Sequence, residues 1–174
     1  MRRIDFVLAY FHRFPSDHSL LASVMRQSLR LGRYESICQL VNLRKDLQLN
    51  PDAYTYNAHI SALSKLGQLT EAREVFEEAI QSGNGSIYVY NTMLDAYARM
   101  GDVAHAKEIW NKIAAGSLEP TSVSYVGLMR AWSCQGNLTK VRQVLQELES
   151  KGLEPMPHAF TILFDCVTKM STKV

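Results

Sequence analysis

Apolar residues along the chain recur at helical spacing in pairs of stripes, and a glycine separates the two stripes of each pair. In residues 53–86, Tyr56, Ile60 and Leu63 step by four and three, which places them on one face of a helix. Gly67 follows and suits a left-handed residue at the end of that helix, because it has no Cβ. A second stripe comprises Leu69, Ala72, Val75, Phe76 and Ala79. The pattern predicts an antiparallel helical hairpin.

The same plan returns with a regular period. Glycines at the phase of Gly67 are spaced by 35, 34 and 35 residues: Gly32, Gly67, Gly101 and Gly136. A large apolar or aromatic residue lies eleven positions before each glycine, and one more falls where a fifth unit needs it: Leu21, Tyr56, Tyr90, Tyr125 and Phe160. Units of this kind bury their apolar faces only against their neighbours. The period therefore predicts an all-α fold, an α-α superhelix or helical-hairpin solenoid.

The period also sets the expected bounds of the units. A partial repeat helix is predicted in residues 1–17, followed by an array over residues 18–174. The units of the array are 18–52, 53–86, 87–121, 122–156 and a partial unit, 157–174. We expect Tyr56, Tyr90, Tyr125 and Phe160 to occupy equivalent sites between neighbouring helices. We also expect Trp110 and Trp132 to be largely buried.

Composition narrows the function classes. The chain has 19 basic and 17 acidic residues and a net charge of +2, so any RNA-binding charge must be concentrated on one face. The five histidines and three cysteines have no metal-ligand spacing, and the cysteine pattern indicates a reducing compartment. No nucleophile constellation, phosphate-binding loop or membrane-spanning stretch is visible. We therefore predict no enzymatic activity, no cofactor, no small-molecule substrate and no membrane partner.

Several residues that recur at fixed positions of the units resemble those of the pentatricopeptide repeat. They are Tyr56-Asn57 and Tyr90-Asn91 in the first helix of the unit, Ala72/Phe76 and Ala106/Trp110 in the second, and Lys-Gly-Leu-Glu-Pro at 151–155. The related tetratricopeptide repeat usually has a small residue in the first helix where this chain has Ile60, Leu94, Met129 and Phe164. The resemblance covers residues 18–174. It implies an RNA-associated protein of an organelle, either the mitochondrion or, as the alternative, the chloroplast.

The resemblance also implies base-reading positions. In that family the fifth and last residues of a unit together read one RNA base. By position the readers are Asn57 with Ser86 and Asn91 with Thr121, a combination resembling pairs that favour pyrimidines, and the base-packing residues are Tyr54, Tyr88 and Val123. Two other units hold Ala22 with Asp52 and Val126 with Met156. Neither Ala22 nor Val126 can form a hydrogen bond to a base edge through its side chain.

Basic residues recur at the thirteenth position of the units, where the first helix closes. They are Arg30, Lys65, Arg99 and Lys169, and only Cys134 interrupts the series. One interpretation is a row of contacts to RNA phosphates. The alternative is that cations at helix C-termini interact favourably with the helix dipole. The two interpretations are compatible.

Three functions remain open at this stage. The leading hypothesis is a scaffold of an organellar ribonucleoprotein, such as an organellar ribosome, that contacts RNA through phosphates and shape. A sequence-specific single-stranded RNA binder in organellar RNA processing or translation is the close alternative. The third is a protein–protein adaptor that uses the concave groove. Apolar stripes without a partner helix, such as Leu163, Phe164 and Val167, also predict protein partners at one or both ends of the array.

Overall fold

The computed structural model describes Tyr10, Arg13, residues 18–116 and residues 118–171. The predicted helix in residues 1–17 otherwise lies outside these residues. The described part contains helices and no strand, and none of the helices is long and apolar enough to cross a bilayer. The chain divides into two compact units, the first reaching Gly85 and the second starting at Ser86.

The first unit consists of two helical hairpins. Its helices are α1 (His18–Arg30), α2 (Tyr34–Asp46), α3 (Ala53–Lys65) and α4 (Leu69–Gln81). Each packs against the next along the chain, and α1 also packs against α3. The core between the helices is formed by the predicted apolar stripes, with Leu21, Met25, Ile37 and Leu40 fully buried.

The second unit continues the plan with five helices. They are α5 (Ile87–Arg99), α6 (Val103–Ala115), α7 (Ser122–Cys134), α8 (Leu138–Ser150) and α9 (Pro157–Ser171). The first helices of successive hairpins pack side by side, α5 on α7 and α7 on α9. The second helices, α6 and α8, each pack against the first helices on either side of them. In both units the structure therefore has the helical-repeat fold that the sequence predicts.

The periodic glycines close the first helices as expected. Gly32, Gly67, Gly101 and Gly136 have φ values of 65°, 78°, 74° and 71°. At the end of α3, the N–H of Gly67 donates to Ser64 O (3.2 Å) and that of Gln68 donates to Leu63 O (2.9 Å). This is the Schellman pattern, in which a left-handed residue satisfies the last carbonyls of the helix.

The aromatic residue of the first helix also has a polar role in two hairpins. Tyr56 Oη donates to Glu78 Oε1 at 3.1 Å, and Tyr125 Oη donates to Glu147 Oε1 at 3.4 Å. Both rings are buried. Burial and the Glu147 carboxylate raise the pKa of Tyr125, so its hydroxyl remains a donor at neutral pH. The repeated aromatic thus ties the first helix of a hairpin to the second.

One of the two expectations about burial is wrong. Phe160 is 52% exposed, whereas Tyr56 and Tyr125 are 4% and 2% exposed. Tyr125 is covered by α8, but no described helix follows α9 to cover Phe160, and Phe164 and Val167 on the same face are exposed as well. Trp110 and Trp132 have most of their surface covered, as expected, because each packs one side against the core, and the remaining side lies at an open groove.

Candidate nucleic-acid interface

The structure brings together one of the two sequence-predicted reader pairs. Asn91 lies on α5, and Thr121 is the residue that precedes α7. The Asn91 side-chain amide donates from Nδ2 to Thr121 Oγ1 at 3.3 Å. Ser124 Oγ holds Thr121 in turn, since it accepts from the Thr121 backbone N–H at 3.0 Å and lies 3.3 Å from its hydroxyl. The pair is therefore fixed by the packing of α5 on α7.

The amide oxygen of Asn91 is the chemically notable atom of this pair. Asn91 is only 8% exposed, yet its Oδ1 is buried and has no hydrogen-bond partner. Buried acceptors are nearly always paired, because an unpaired one loses its hydrogen bond to water. Oδ1 of Asn91 therefore keeps an unused capacity to accept an N–H donor.

Exposed apolar side chains flank the pair. Tyr88 lies three residues before Asn91, on the same face of α5, and is 72% exposed. Val123, in the first turn of α7 just after Thr121, is 49% exposed. A large aromatic ring left in solvent beside a buried polar pair suits stacking on a flat, polar-edged ligand such as a nucleobase.

The other predicted reader pair falls in different units of the chain. Asn57 is half-buried on α3 in the first unit, and Ser86 is the extended residue before α5 in the second. Tyr54, the predicted base-packing residue of α3, is less exposed than Tyr88. Its ring is half-buried against the core of the first unit, and the Arg26 guanidinium lies 5.7 Å from the ring centroid.

Two residues at the reader positions of the units that the sequence marks as poor readers, Asp52 and Val126, have structural roles. Asp52 caps α3, with its Oδ1 accepting from the Thr55 N–H at 2.8 Å. Burial opposes ionisation of Asp52, but the hydrogen bonds from Thr55 and the charge of Arg44 lower its pKa overall. Val126 is buried in the core of the second unit, and Met156 is exposed just before α9.

The predicted phosphate contacts are not equivalent. Arg99, at the end of α5, is paired with Asp95 (Nε to Oδ2, 2.5 Å). The other oxygen of Asp95 lies 3.0 Å from Nε of Arg130 on α7. One carboxylate therefore holds two guanidinium groups, and the cluster keeps a net positive charge. Sequence reasoning missed Arg130, although it lies 35 residues after Asp95 and hence at the same phase of the neighbouring unit.

The remaining basic candidates are exposed. Arg30 and Lys65 close α1 and α3, which pack against each other in the first unit, and Lys169 lies in the last turn of α9. Cys134, which interrupts the series, donates from Sγ to Ala98 O at 3.2 Å. In the described residues, no three His, Cys, Asp or Glu side chains are grouped as a metal site would require.

Models of one repeat family match more than half of the chain. The model of the PPR repeat matches residues 54–84 and 123–153, and that of the PPR repeat family matches residues 85–133. The chain belongs to the pentatricopeptide repeat family. The resemblance seen in the sequence is thereby confirmed, and no curated protein sequence matches the chain.

Solved pentatricopeptide repeat structures show the same fold. The chain is similar to PPR10 in complex with an 18-nt psaJ RNA element, at 24% identity and a TM-score of 0.72 over 92% of this chain. It is also similar to PPR10 from maize, at 21% identity and a TM-score of 0.69 over 89% of this chain. The pentatricopeptide repeat domain of Arabidopsis thaliana protein-only RNase P 1 in complex with tRNA matches at 14% identity and 0.70, covering 91% of this chain and 84% of the other. The chain spans 24% and 22% of the two PPR10 chains.

Proposed function

We propose that this chain binds single-stranded RNA and that its second unit selects one base through Asn91 and Thr121. The observation that carries this proposal is the buried, unpartnered Oδ1 of Asn91 beside the hydrogen bond to Thr121. An unpaired polar atom in a folded chain suits a ligand group that completes its hydrogen bonding. The stacking surface beside it is Tyr88, with Val123 on the neighbouring helix.

The selected base is a pyrimidine. Thr121 uses one of the two N–H groups of Asn91 Nδ2, and the unpaired Oδ1 is an acceptor that fits N3–H of uracil or the N4 amine of cytosine. The Thr121 hydroxyl can donate to a base carbonyl. Purines also carry an amine that can donate to such an acceptor, so the choice of a pyrimidine rests on the resemblance of the Asn and Thr pair to pairs that favour pyrimidines. The similar structures support the RNA class, since PPR10 and protein-only RNase P 1 were each solved with RNA.

An organellar ribonucleoprotein scaffold is a second candidate function. It is favoured by Ala22 and Val126, which offer no side-chain donor or acceptor at two of the reader positions. In that role the RNA would be held by exposed cations such as Lys65 and Arg30 rather than by base edges. For both candidates we propose an organellar location, mitochondrial or chloroplastic, on the strength of the family resemblance.

Binding to homopolymeric RNA separates the two candidates. We expect wild-type protein to prefer oligouridylate or oligocytidylate over oligoadenylate, and Asn91→Ala to reduce that preference by about tenfold. Thr161→Ala serves as the matched control, since Thr161 holds the same position in the partial unit and its hydroxyl donates only within α9, to Pro157 O. If wild-type protein binds all three homopolymers equally, base selection is refuted and the scaffold function is favoured.

A further inference from the structure

A groove runs between the two second helices of the second unit. One part of it, about 210 Å³, is bounded by Lys107 and Trp110 of α6, Trp132 of α7 and Lys140 of α8. A second part, about 470 Å³, continues along Trp110 and Glu147 towards Pro120 and Lys151. Trp110 and Glu147 line both parts, so the two parts lie next to each other. We call it the tryptophan groove, because both tryptophans of the chain line it.

The place in the first unit that corresponds to the second part of the groove is much smaller. It measures only about 20 Å³ and is bounded by residues of α2, α3 and α4, among them Val41, Tyr56 and Glu78. Val41 stands where the second unit has Trp110, at the same phase of the repeat. The size of the tryptophan groove is thus a property of particular residues and not of the helical-repeat fold in general.

The chemistry of the groove combines apolar surface with charge on its rim. Its floor is made by the rings of Trp110 and Trp132, both half-buried, with Trp110 packed edge-on against Tyr125 at 4.9 Å. Lys107 Nζ lies 5.6 Å from the centroid of the Trp132 ring, and Lys140 is exposed on the opposite wall. Half-buried tryptophans with an open side are typical anchors of protein interfaces.

We propose that the tryptophan groove is a docking site for a polypeptide segment that carries an aromatic or large aliphatic side chain next to an acidic residue. The apolar side chain fills the space over Trp110 and Trp132, and the carboxylate lies between Lys107 and Lys140. A nucleic-acid strand fits less well, because Glu119 and Glu147 line the groove together with Lys107, Lys140 and Lys151, and their carboxylates repel phosphates. The two glutamates suit a peptide of mixed charge instead.

A displayed library of random peptides, selected on the full chain, tests this proposal. We expect the enriched peptides to pair an aromatic or aliphatic residue with Asp or Glu, and to shift the tryptophan fluorescence, since both tryptophans lie in the groove. The double variant Lys107→Glu/Lys140→Glu should weaken their binding by about tenfold or more. Both lysines are exposed, so the change leaves the core intact.

Control variants keep the test specific. Lys45→Glu/Arg142→Glu makes the same change in net charge at exposed positions outside the groove and should leave peptide binding unchanged. Asn91→Leu should also leave peptide binding unchanged. The RNA proposal and the docking proposal can therefore fail independently of each other. The docking site is refuted if no peptide is enriched, or if the double variant binds enriched peptides as tightly as wild type. It is also refuted if oligouridylate, and no peptide, produces a fluorescence shift that the double variant loses.

Discussion

Asn91 donates a hydrogen bond to Thr121 across 30 residues of sequence, and this bond joins the middle of α5 to the start of α7. It leaves the amide oxygen of Asn91 buried and unpaired. The same two residues therefore affect folding stability and RNA binding in different ways, and substitutions can separate the two effects.

Thr121→Val should destabilise the protein more than Asn91→Leu. The valine keeps the shape of threonine but leaves the whole buried amide of Asn91 without a partner, which costs about 1–3 kcal/mol. Leucine at position 91 removes the buried polar group, so its cost is smaller. Urea unfolding measures the loss of stability in each variant. The double variant should lose about as much stability as Asn91→Leu alone. A larger loss for Asn91→Leu than for Thr121→Val would contradict this account of the pair.

Asp95→Asn should strengthen RNA binding. Asp95 contacts both Arg99 and Arg130, so its removal leaves two guanidinium groups able to contact phosphates. The slope of log affinity against log salt should steepen by about 0.7 for each phosphate gained. Asp46→Asn at the end of α2 is the control, since it changes the net charge equally at an exposed site. Equal salt slopes for the two variants would rule out a phosphate contact by this cluster.

The sequence predicts the helices, their hairpins and the closing glycines because all of these depend on spacing within about 35 residues. It does not predict the exposure of Phe160, since burial at that phase depends on a second helix that packs over it. The phase of the repeat correctly pointed to Asn91 and Thr121 as neighbours, because α5 and α7 pack side by side. It could not show that Asp95 also engages Arg130, nor that the groove beside Trp110 stays open, because side-chain packing decides both.

Gly127→Ala should destabilise the second unit. A Cβ at position 127 would lie 2.9 Å from Cδ2 and 3.0 Å from Cγ of Leu94, so this fully buried side chain would have to move. Overpacking of this kind costs about 1–3 kcal/mol, although alanine recovers about 1 kcal/mol through its helix propensity. Thermal or urea unfolding of Gly127→Ala, Leu94→Ala and the double variant measures the coupling. The double variant should lose less unfolding free energy than the two single variants lose together. Strict additivity of the two losses would show that the contact is not tight.

His59 should make the first unit less stable in mild acid. Burial lowers the pKa of His59, Lys45 on α2 lowers it further, and Glu78 on α4 opposes the shift only in part. Because the unfolded chain binds the proton more readily than the folded one, stability falls as the pH drops below about 6.5. Urea unfolding should show that the wild-type protein is less stable at mildly acidic than at neutral pH, and that His59→Gln makes this difference smaller. His158→Gln, at an exposed site, is the control. If His59→Gln and His158→Gln leave the same pH dependence, His59 is not the cause.

Selection from a pool of randomised single-stranded RNA tests the central claim, base selection by Asn91 and Thr121, most directly. The account predicts that wild-type protein enriches a pyrimidine at one position, and that the Asn91→Leu protein, confirmed as folded by its unfolding curve, binds RNA without that enrichment. Enrichment of the same pyrimidine by Asn91→Leu, or no enrichment by wild type at any position, would contradict it.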